Sequence, residues 1–543
     1  MKNKFIFIFI VVLSIIPVLS LFHSGFPVTH DGQDHVARIA NFYLNLTDGN
    51  IIPRWAPNLN WGYGHPILEF LYPLPSYFAS FFHFLGFSLV DSTKIVFGLG
   101  MFLSLPFMYL WLSQFTAKNS AIFGAILYTY APYRFVELYV RGDIGENLAF
   151  PLIPLVLYFI YKLYKEKNIK YLFLGGFSLA FLILAHNAVS LMIMPFILIY
   201  SGLLLYLSKN RKYLFSSFLF FFILGFSLSA FFWIPAFLEG KYTLRNIVTA
   251  GSFLGRFVNL NQIIYGPWSY GITGQFTVQF GVFQWLSLIL SPIALYKFRK
   301  NKEKYFLSLI LLFVTIFSTF LMFQFSGLIW EKIILLQNFQ FPWRFLAMIV
   351  FSTSVLGALV FELIPKKYSL KLLLILTFLI LIISSFYWMP RAYQYKKESF
   401  YSGIYKSTTD TGESSPIWSV RFMEKEPKKP LEIIDGNALV KELKRNSTEH
   451  IYQVKVNKDT LFAENTLYFP GWEIMANKIP LNIEFQNMSY RGVMLFHLPK
   501  GKYHLDVVYK ETKLRAIADS ISIVVLFNII GFSIFRFVKP KFS

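Results

Sequence analysis

Two carboxylates and two imidazoles fall within six residues at His30-Asp31-Gly32-Gln33-Asp34-His35, in a chain of which only 15% of residues are charged. Gly32 permits a sharp turn between the two acids. From Asp34 onward the pattern predicts a helix, with Asp34 and Arg38 at i,i+4. On that reading Asp34 is partly neutralised and Asp31 stays free on the turn. A free carboxylate at a membrane face suits a general base, or a ligand for a hard divalent cation such as Mg or Mn. The alternative is a capped helix start with solvated polar neighbours.

Further polar groups stand at the ends of apolar segments. Arg141-Gly142-Asp143-Ile144-Gly145-Glu146 precedes one of them. Asp143 suits the N-cap of that helix and Glu146 its N3 partner, although capping requires neither Arg141 nor the glycines. His186-Asn187 interrupts a long apolar stretch, either as a turn between two helices or as a group facing a cavity. Arg344, after Pro342-Trp343, starts a helix and suits either a substrate phosphate or a lipid headgroup. Arg54 lies in Pro53-Arg54-Trp55. An anionic, lipid-linked substrate with a polar head needs this assortment, with arginines on the phosphate and a carboxylate to activate an acceptor hydroxyl.

The elements that must hold these groups are read from composition. The chain has 543 residues, 55% of them hydrophobic, with a mean hydropathy of +0.51. That composition predicts a polytopic membrane protein. The net charge of +22 does not point to nucleic acid, because the lysines cluster in short loops between apolar runs, as the positive-inside rule expects. Cysteine is absent, which excludes disulfides, thiolate metal sites and a cysteine nucleophile.

Apolar runs near 5–22, 94–114, 119–131, 148–164, 171–186, 188–207, 213–235, 281–296, 305–325, 343–362, 370–388 and 516–536 predict about twelve spans. The first run reads as a retained signal anchor. Both termini are expected in the cytoplasm, with basic loops inside, including the tail Arg536, Lys539 and Lys541. The first extracytoplasmic loop then covers 23–93, and its apolar stretch 67–85 is expected along the interface rather than across it. Residues 1–390 form the transmembrane domain. Residues 391–515 are polar and alternate in their second half, which predicts an extracytoplasmic β-sandwich. Residues 516–543 return the chain to the cytoplasm.

With those residues in view, the chain resembles the prokaryotic membrane proteins labelled 6-pyruvoyl-tetrahydropterin-synthase-related. These are similar to the GT-C superfamily of polytopic glycosyltransferases and to YfhO-type membrane proteins. The resemblance rests on His30-Asp31-Gly32 with Asp34-His35, Pro53-Arg54-Trp55, Trp61-Gly62-Tyr63-Gly64, Arg141-Gly142-Asp143-Ile144-Gly145-Glu146, His186-Asn187 and Phe341-Pro342-Trp343-Arg344. Tyr468-Phe469-Pro470-Gly471-Trp472 and Pro499-Lys500-Gly501-Lys502-Tyr503 resemble the β-domain of the YfhO type.

The resemblance implies a GT-C-like fold in the plasma membrane and inverting sugar transfer from a polyprenyl-phosphate donor. The acceptor would be a glycan, glycolipid or protein of the cell envelope. It implies Asp31, and less directly Asp34, as catalytic acids. His30, His35, Arg38, Arg54, Arg141, Asp143, Glu146, His186 and Arg344 would bind substrate, and Asp31 would be the ligand if a metal is used. The chain lacks a visible three-histidine zinc set, so pterin-synthase chemistry is not implied. A lipid or glycan transporter and a non-catalytic envelope scaffold are the competing readings.

Overall fold

The computed structural model describes residues 2–271 and 275–538. Among these residues, nine helices are long and apolar enough to cross a membrane: Lys4–Phe22, Leu89–Leu112, Ile144–Lys165, Asn187–Leu207, Arg211–Leu228, Lys302–Met322, Pro342–Phe361, Lys366–Tyr387 and Lys513–Phe532. Ile169–Ala185 and Val282–Lys297 are shorter apolar helices. Lys118–Thr129 has 12 residues. At 1.5 Å per residue it rises about 18 Å, short of the ~30 Å hydrocarbon layer. The twelve expected segments are therefore all helical, but three fall below spanning length. The segment expected at 213–235 breaks at Ser229 into Arg211–Leu228 and Ala230–Leu238. The side chains of the basic tail lie outside the described residues.

Ile144–Lys165 and Pro342–Phe361 are enclosed almost completely, whereas Lys366–Tyr387 and Lys513–Phe532 expose most of their surface. A helix that is apolar on every side suits the centre of a membrane bundle. The two enclosed helices begin at Asp143 and at Phe341-Pro342-Trp343-Arg344, so the polar stretches of the sequence sit at the ends of the most buried elements.

In the first loop, Gly32–Thr47 forms a 16-residue helix that buries Val36, Ile39, Ala40 and Phe42. Leu74–Phe84 is an 11-residue helix, too short to span, and it leaves Phe81, Phe84 and Leu85 exposed.

Residues 391–430 contain only a two-residue strand and a one-turn helix, not the β-structure that starts at Leu431. They run back over the first loop as a strap. Tyr405 N–H donates to the Asn58 carbonyl at 2.7 Å, and Trp61 N–H donates to the Tyr405 carbonyl at 3.0 Å. The loop beneath turns sharply, with Asn60 and Trp61 at φ of 54° and 62°.

The β-structure is one antiparallel sheet of six strands rather than two facing sheets. Its order is Leu431–Arg445, Glu449–Leu467, Gly501–Tyr509, Trp472–Ala476, Ile479–Pro480. The long strand Glu449–Leu467 pairs with Gly501–Tyr509 along 449–456 and with Val493–Leu498 along 460–467. The sheet thus forks at 457–459, which explains how one strand serves three neighbours.

A buried ionic junction ties this region to the bundle. Arg54 Nε donates to Glu511 at 3.0 Å, its Nη2 to Asp519 at 2.6 Å, and its Nη1 to the Phe231 carbonyl at 3.2 Å. Close by, Arg515 joins Glu239 at 2.5 Å and Glu69 at 3.0 Å. Burial, opposed by Arg515, holds the Glu69 carboxyl well above the usual carboxylate range.

Candidate active site

The site is built where two turns press together. Val136–Arg141 forms a π-helical turn, a geometry often found at functional sites. It closes at Gly142, whose φ is +69°. The Val140 and Arg141 carbonyls accept the His30 and Asp31 N–H groups at 2.9 and 2.8 Å. Asp31 is thereby fixed to the Val136–Arg141 turn through its backbone.

The approach is close. A Cβ on Gly142 would lie 2.2 Å from Thr29 Oγ1, and one on Gly32 would lie 2.4 Å from the same atom. Gly142→Ala therefore combines left-handed strain with a clash. The expected result is a loss of about 1–3 kcal/mol of stability and weaker function at any level of expression. Thermal unfolding of the purified variant measures the first.

Helix capping does not use the Asp31 carboxylate. Asp31 occupies the N-cap position without a side-chain cap bond, and Thr29 Oγ1 accepts the Gly32 N–H at 3.1 Å. Among the described residues, the carboxylate has no hydrogen bond or ion pair, and the residue is exposed. It is nevertheless closely surrounded by protein. Partial burial raises its pKa, the Arg141 charge opposes the rise, and Asp143 adds to it.

Behind Asp31 lies a buried charge cluster. Arg141 Nη1 contacts both Glu137 oxygens at 2.7 and 2.6 Å and Glu146 Oε2 at 3.0 Å, while Nη2 donates to Asp143 Oδ2 at 3.0 Å. Arg344 lies 3.4 Å from Glu146 Oε2 and 3.7 Å from Asp143 Oδ2. Its Nη1 donates to the Phe339 carbonyl at 3.1 Å, and its Nε has no hydrogen-bond partner. Tyr133 and Tyr72 donate to Glu146 and Asp143 at 2.6 and 3.2 Å.

Asp143 caps its helix through the Glu146 N–H at 2.9 Å, so the capping role and the cluster role coincide. His186 is also shared. Its Nδ1 accepts the Val189 N–H at 3.1 Å, which puts the ring proton on Nε2, 3.6 Å from Asp143 Oδ2. His186 is therefore both the turn between two helices and a member of the cluster.

Burial and charge act differently on the acids. Burial opposes ionisation of Asp143, but His186, Arg141 and Arg344 overcome it and hold that carboxyl well below the usual range. Burial pushes Glu137 up to about 8, against Arg141 and aided by Glu146 and Asp143.

The neighbouring acid and its helix are arranged differently from the expected Asp34–Arg38 pair. Asp34 accepts from Tyr405 of the strap at 2.7 Å. Arg38 turns to the other side, donating to His35 Nδ1 at 2.8 Å, to Thr409 Oγ1 at 3.2 Å and to the Thr409 carbonyl. The i,i+4 spacing is present, but the strap supplies better-placed partners for both groups. Burial and Arg38 hold His35 well below its usual pKa, so the ring is neutral with its proton on Nε2. His30 lies at the open edge, with Nε2 3.1 Å from the Tyr270 carbonyl.

Arg141, Asp143, Glu146, His186 and Arg344 thus form one buried cluster, and Asp31 adjoins it through its backbone bond to Arg141, with His30, His35, Asp34 and Arg38 on the same stretch. Arg54 does not join them and serves the ionic junction instead. Glu137, Tyr133, Tyr72, Tyr405 and Thr409 complete the arrangement without having been singled out from the sequence. Glu137 carried one available signal, its i,i+4 spacing to Arg141.

Among the described residues, Asp143, Glu146 and His186 form the group that could hold a metal, with donor atoms within 4.8 Å of one another. Asp31 is not a member. Oδ2 and Oε2 already face Arg141 and Arg344, so an ion would have to displace guanidinium groups. The residues present fit an arginine-neutralised acid cluster better than a cation site.

The chain matches the family described as 6-pyruvoyl-tetrahydropterin synthase related domain, membrane protein, over residues 68–390. It is 27% identical over 364 residues to an uncharacterized protein of Lactococcus lactis subsp. cremoris strain MG1363, covering 63% of this chain. The chain spans 55% of that relative's length.

Among solved structures, it is similar to the arabinofuranosyltransferase AftD from Mycobacteria (14% identity, TM-score 0.46, 72% of this chain and 27% of that one). It is also similar to the oligosaccharyltransferase of Archaeoglobus fulgidus (12%, 0.45, 76% and 60%). A third likeness is to ArnT from Cupriavidus metallidurans (10%, 0.30, 66% and 78%). The match across more than half of its length means that the chain belongs to the family of membrane proteins described as 6-pyruvoyl-tetrahydropterin synthase related.

Proposed function

We propose that the protein transfers a sugar from a polyprenyl-phosphate donor to a hydroxyl of a cell-envelope acceptor on the extracytoplasmic face. The observation that carries this reading is Asp31: an exposed, unpaired carboxylate whose backbone is locked onto a buried arginine cluster. Asp31 takes the proton of the acceptor hydroxyl. The acceptor oxygen bonds to the anomeric carbon while the bond from that carbon to the phosphate oxygen breaks, with inversion. The donors least committed to the acids, Arg344 Nε and His186 Nε2–H, are suited to the departing phosphate. Arg141 stays committed to Glu137, Asp143 and Glu146 and holds the floor of the site.

Charge balance gives a pH prediction. Asp31 acts as a base only when ionised, and its raised pKa moves the acid limb of kcat/KM above the ordinary carboxylate range. Glu137 holds a proton below about 8. Its ionisation above that pH adds negative charge beside an anionic donor and raises KM. The expected profile is a bell whose alkaline limb lies near pH 8. Glu137→Gln, which cannot ionise, should flatten that limb; an unchanged limb assigns it to another group.

The direct test uses purified protein in lipid nanodiscs with a panel of polyprenyl-phosphate sugars and cell-envelope acceptors. Release of polyprenyl phosphate together with a glycosylated acceptor is expected. Movement of the intact donor between leaflets without bond cleavage would replace this reading with transport.

A further inference from the structure

Arg256 stands apart from the arginines of the cluster. It is exposed, and among the described residues its guanidinium has neither an ion pair nor a hydrogen bond. It lies against the face of Phe341, 4.5 Å from the ring centroid. Arg344 lies 5.3 Å from the same centroid. The two guanidinium carbons are therefore no more than about 10 Å apart. An anion lying near both would favour two like charges that share one ring. The inner one, Arg344, has a buried Nε that makes no hydrogen bond and lies 3.4 Å from Glu146 Oε2. The outer one has no counter-ion.

The loop that carries Arg256 is held in place. Phe253 stacks on Trp330 at 5.6 Å and 27°. Val258 N–H donates at 2.9 Å to the carbonyl of Met322, the last residue of a spanning helix. Arg256 is thus fixed at the same end of the bundle as Arg344, at the level where a span leaves the bilayer. Leu254, Leu260 and Leu328 around it expose most of their surface. Such side chains suit the boundary between headgroups and acyl chains, where an unpaired arginine meets phosphate.

We infer that Arg256 and Arg344 are the outer and inner guanidiniums of a docking site for a lipid-borne phosphate, entered from the bilayer past Phe341. This deepens the reading of the site as one that uses a lipid-linked donor. The same chemistry suits a polyprenyl phosphate or the phosphate of a bulk anionic phospholipid, and the test separates the two.

The full chain is placed in phosphatidylcholine nanodiscs, and binding of a polyprenyl monophosphate is titrated, alone and against excess phosphatidylglycerol. Arg256→Gln should weaken binding about 10- to 100-fold, the range for losing a hydrogen bond to a charged group. Arg256→Lys should recover part of it, and Phe341→Leu should weaken binding by a smaller factor. Each variant is checked by thermal unfolding. If phosphatidylglycerol competes poorly, the site is a donor dock; if it competes equally, the site takes any outer-leaflet phosphate. Unchanged affinity in a folded Arg256→Gln protein overturns the inference. Asp31→Asn is titrated in parallel and should bind normally. A protein that binds the lipid phosphate through Arg256 but transfers no sugar would refute the transferase reading and leave this one standing.

Discussion

Asp31→Asn is expected to accumulate and unfold like the parent protein while losing transfer by about 100- to 10,000-fold, the range for removal of an effective general base. The structural reason for normal folding is specific. The Asp31 backbone makes the bonds that hold the two turns together, and the carboxylate makes none among the described residues. Asparagine preserves those backbone bonds and the side-chain shape. Asp34→Asn should behave in the opposite sense. Its carboxylate accepts from Tyr405, so its loss should loosen the strap before it slows the reaction. Turnover of a confirmed donor at the parental rate by Asp31→Asn would remove Asp31 from the mechanism.

Arg141→Gln is expected to be the most damaging substitution for stability. One guanidinium serves Glu137, Asp143 and Glu146, all buried. Breaking a buried pair from one side typically costs about 3–5 kcal/mol, because the remaining charge is left unpaired. Here Asp143 and Glu146 lose a charged partner, with Arg344 and His186 left beside them, and Glu137 loses the donor to its carboxyl. The expected readout is a large fall in yield and in detergent unfolding temperature. An exposed pair such as Lys444–Glu449 should cost under about 1 kcal/mol on the same assay. If Arg141→Gln unfolds at the parental temperature, the cluster does not stabilise the fold.

The apolar helices were legible because long apolar runs have few physical alternatives. The meeting of the loop at Asp31 with the stretch at Arg141 was legible as well, since polar groups at span ends have few places to lie. The partners of Asp34 and Arg38 were not. Helical spacing names candidates within one element, whereas Tyr405 and Thr409 arrive from more than 360 residues away. The assignment of Arg54 failed for the same reason, because Glu511 and Asp519 are visible only once the last helix is packed. The strand Leu431–Arg445 was missed because its mixed charged and apolar pattern lacks clear alternation. Glu137 was within reach of sequence reasoning, since its pairing with Arg141 keeps the i,i+4 spacing.

The junction of Arg54 with Glu511, 457 residues later in the chain, bears on how the protein is made. When the first loop emerges, Arg54 and Glu69 have no partners, and their final environment is one in which an unpaired charge is costly. The early spans must therefore hold these groups in water until translation reaches the last helix. A chain that stops short of Glu511 lacks both carboxylates that Arg54 meets in the folded protein.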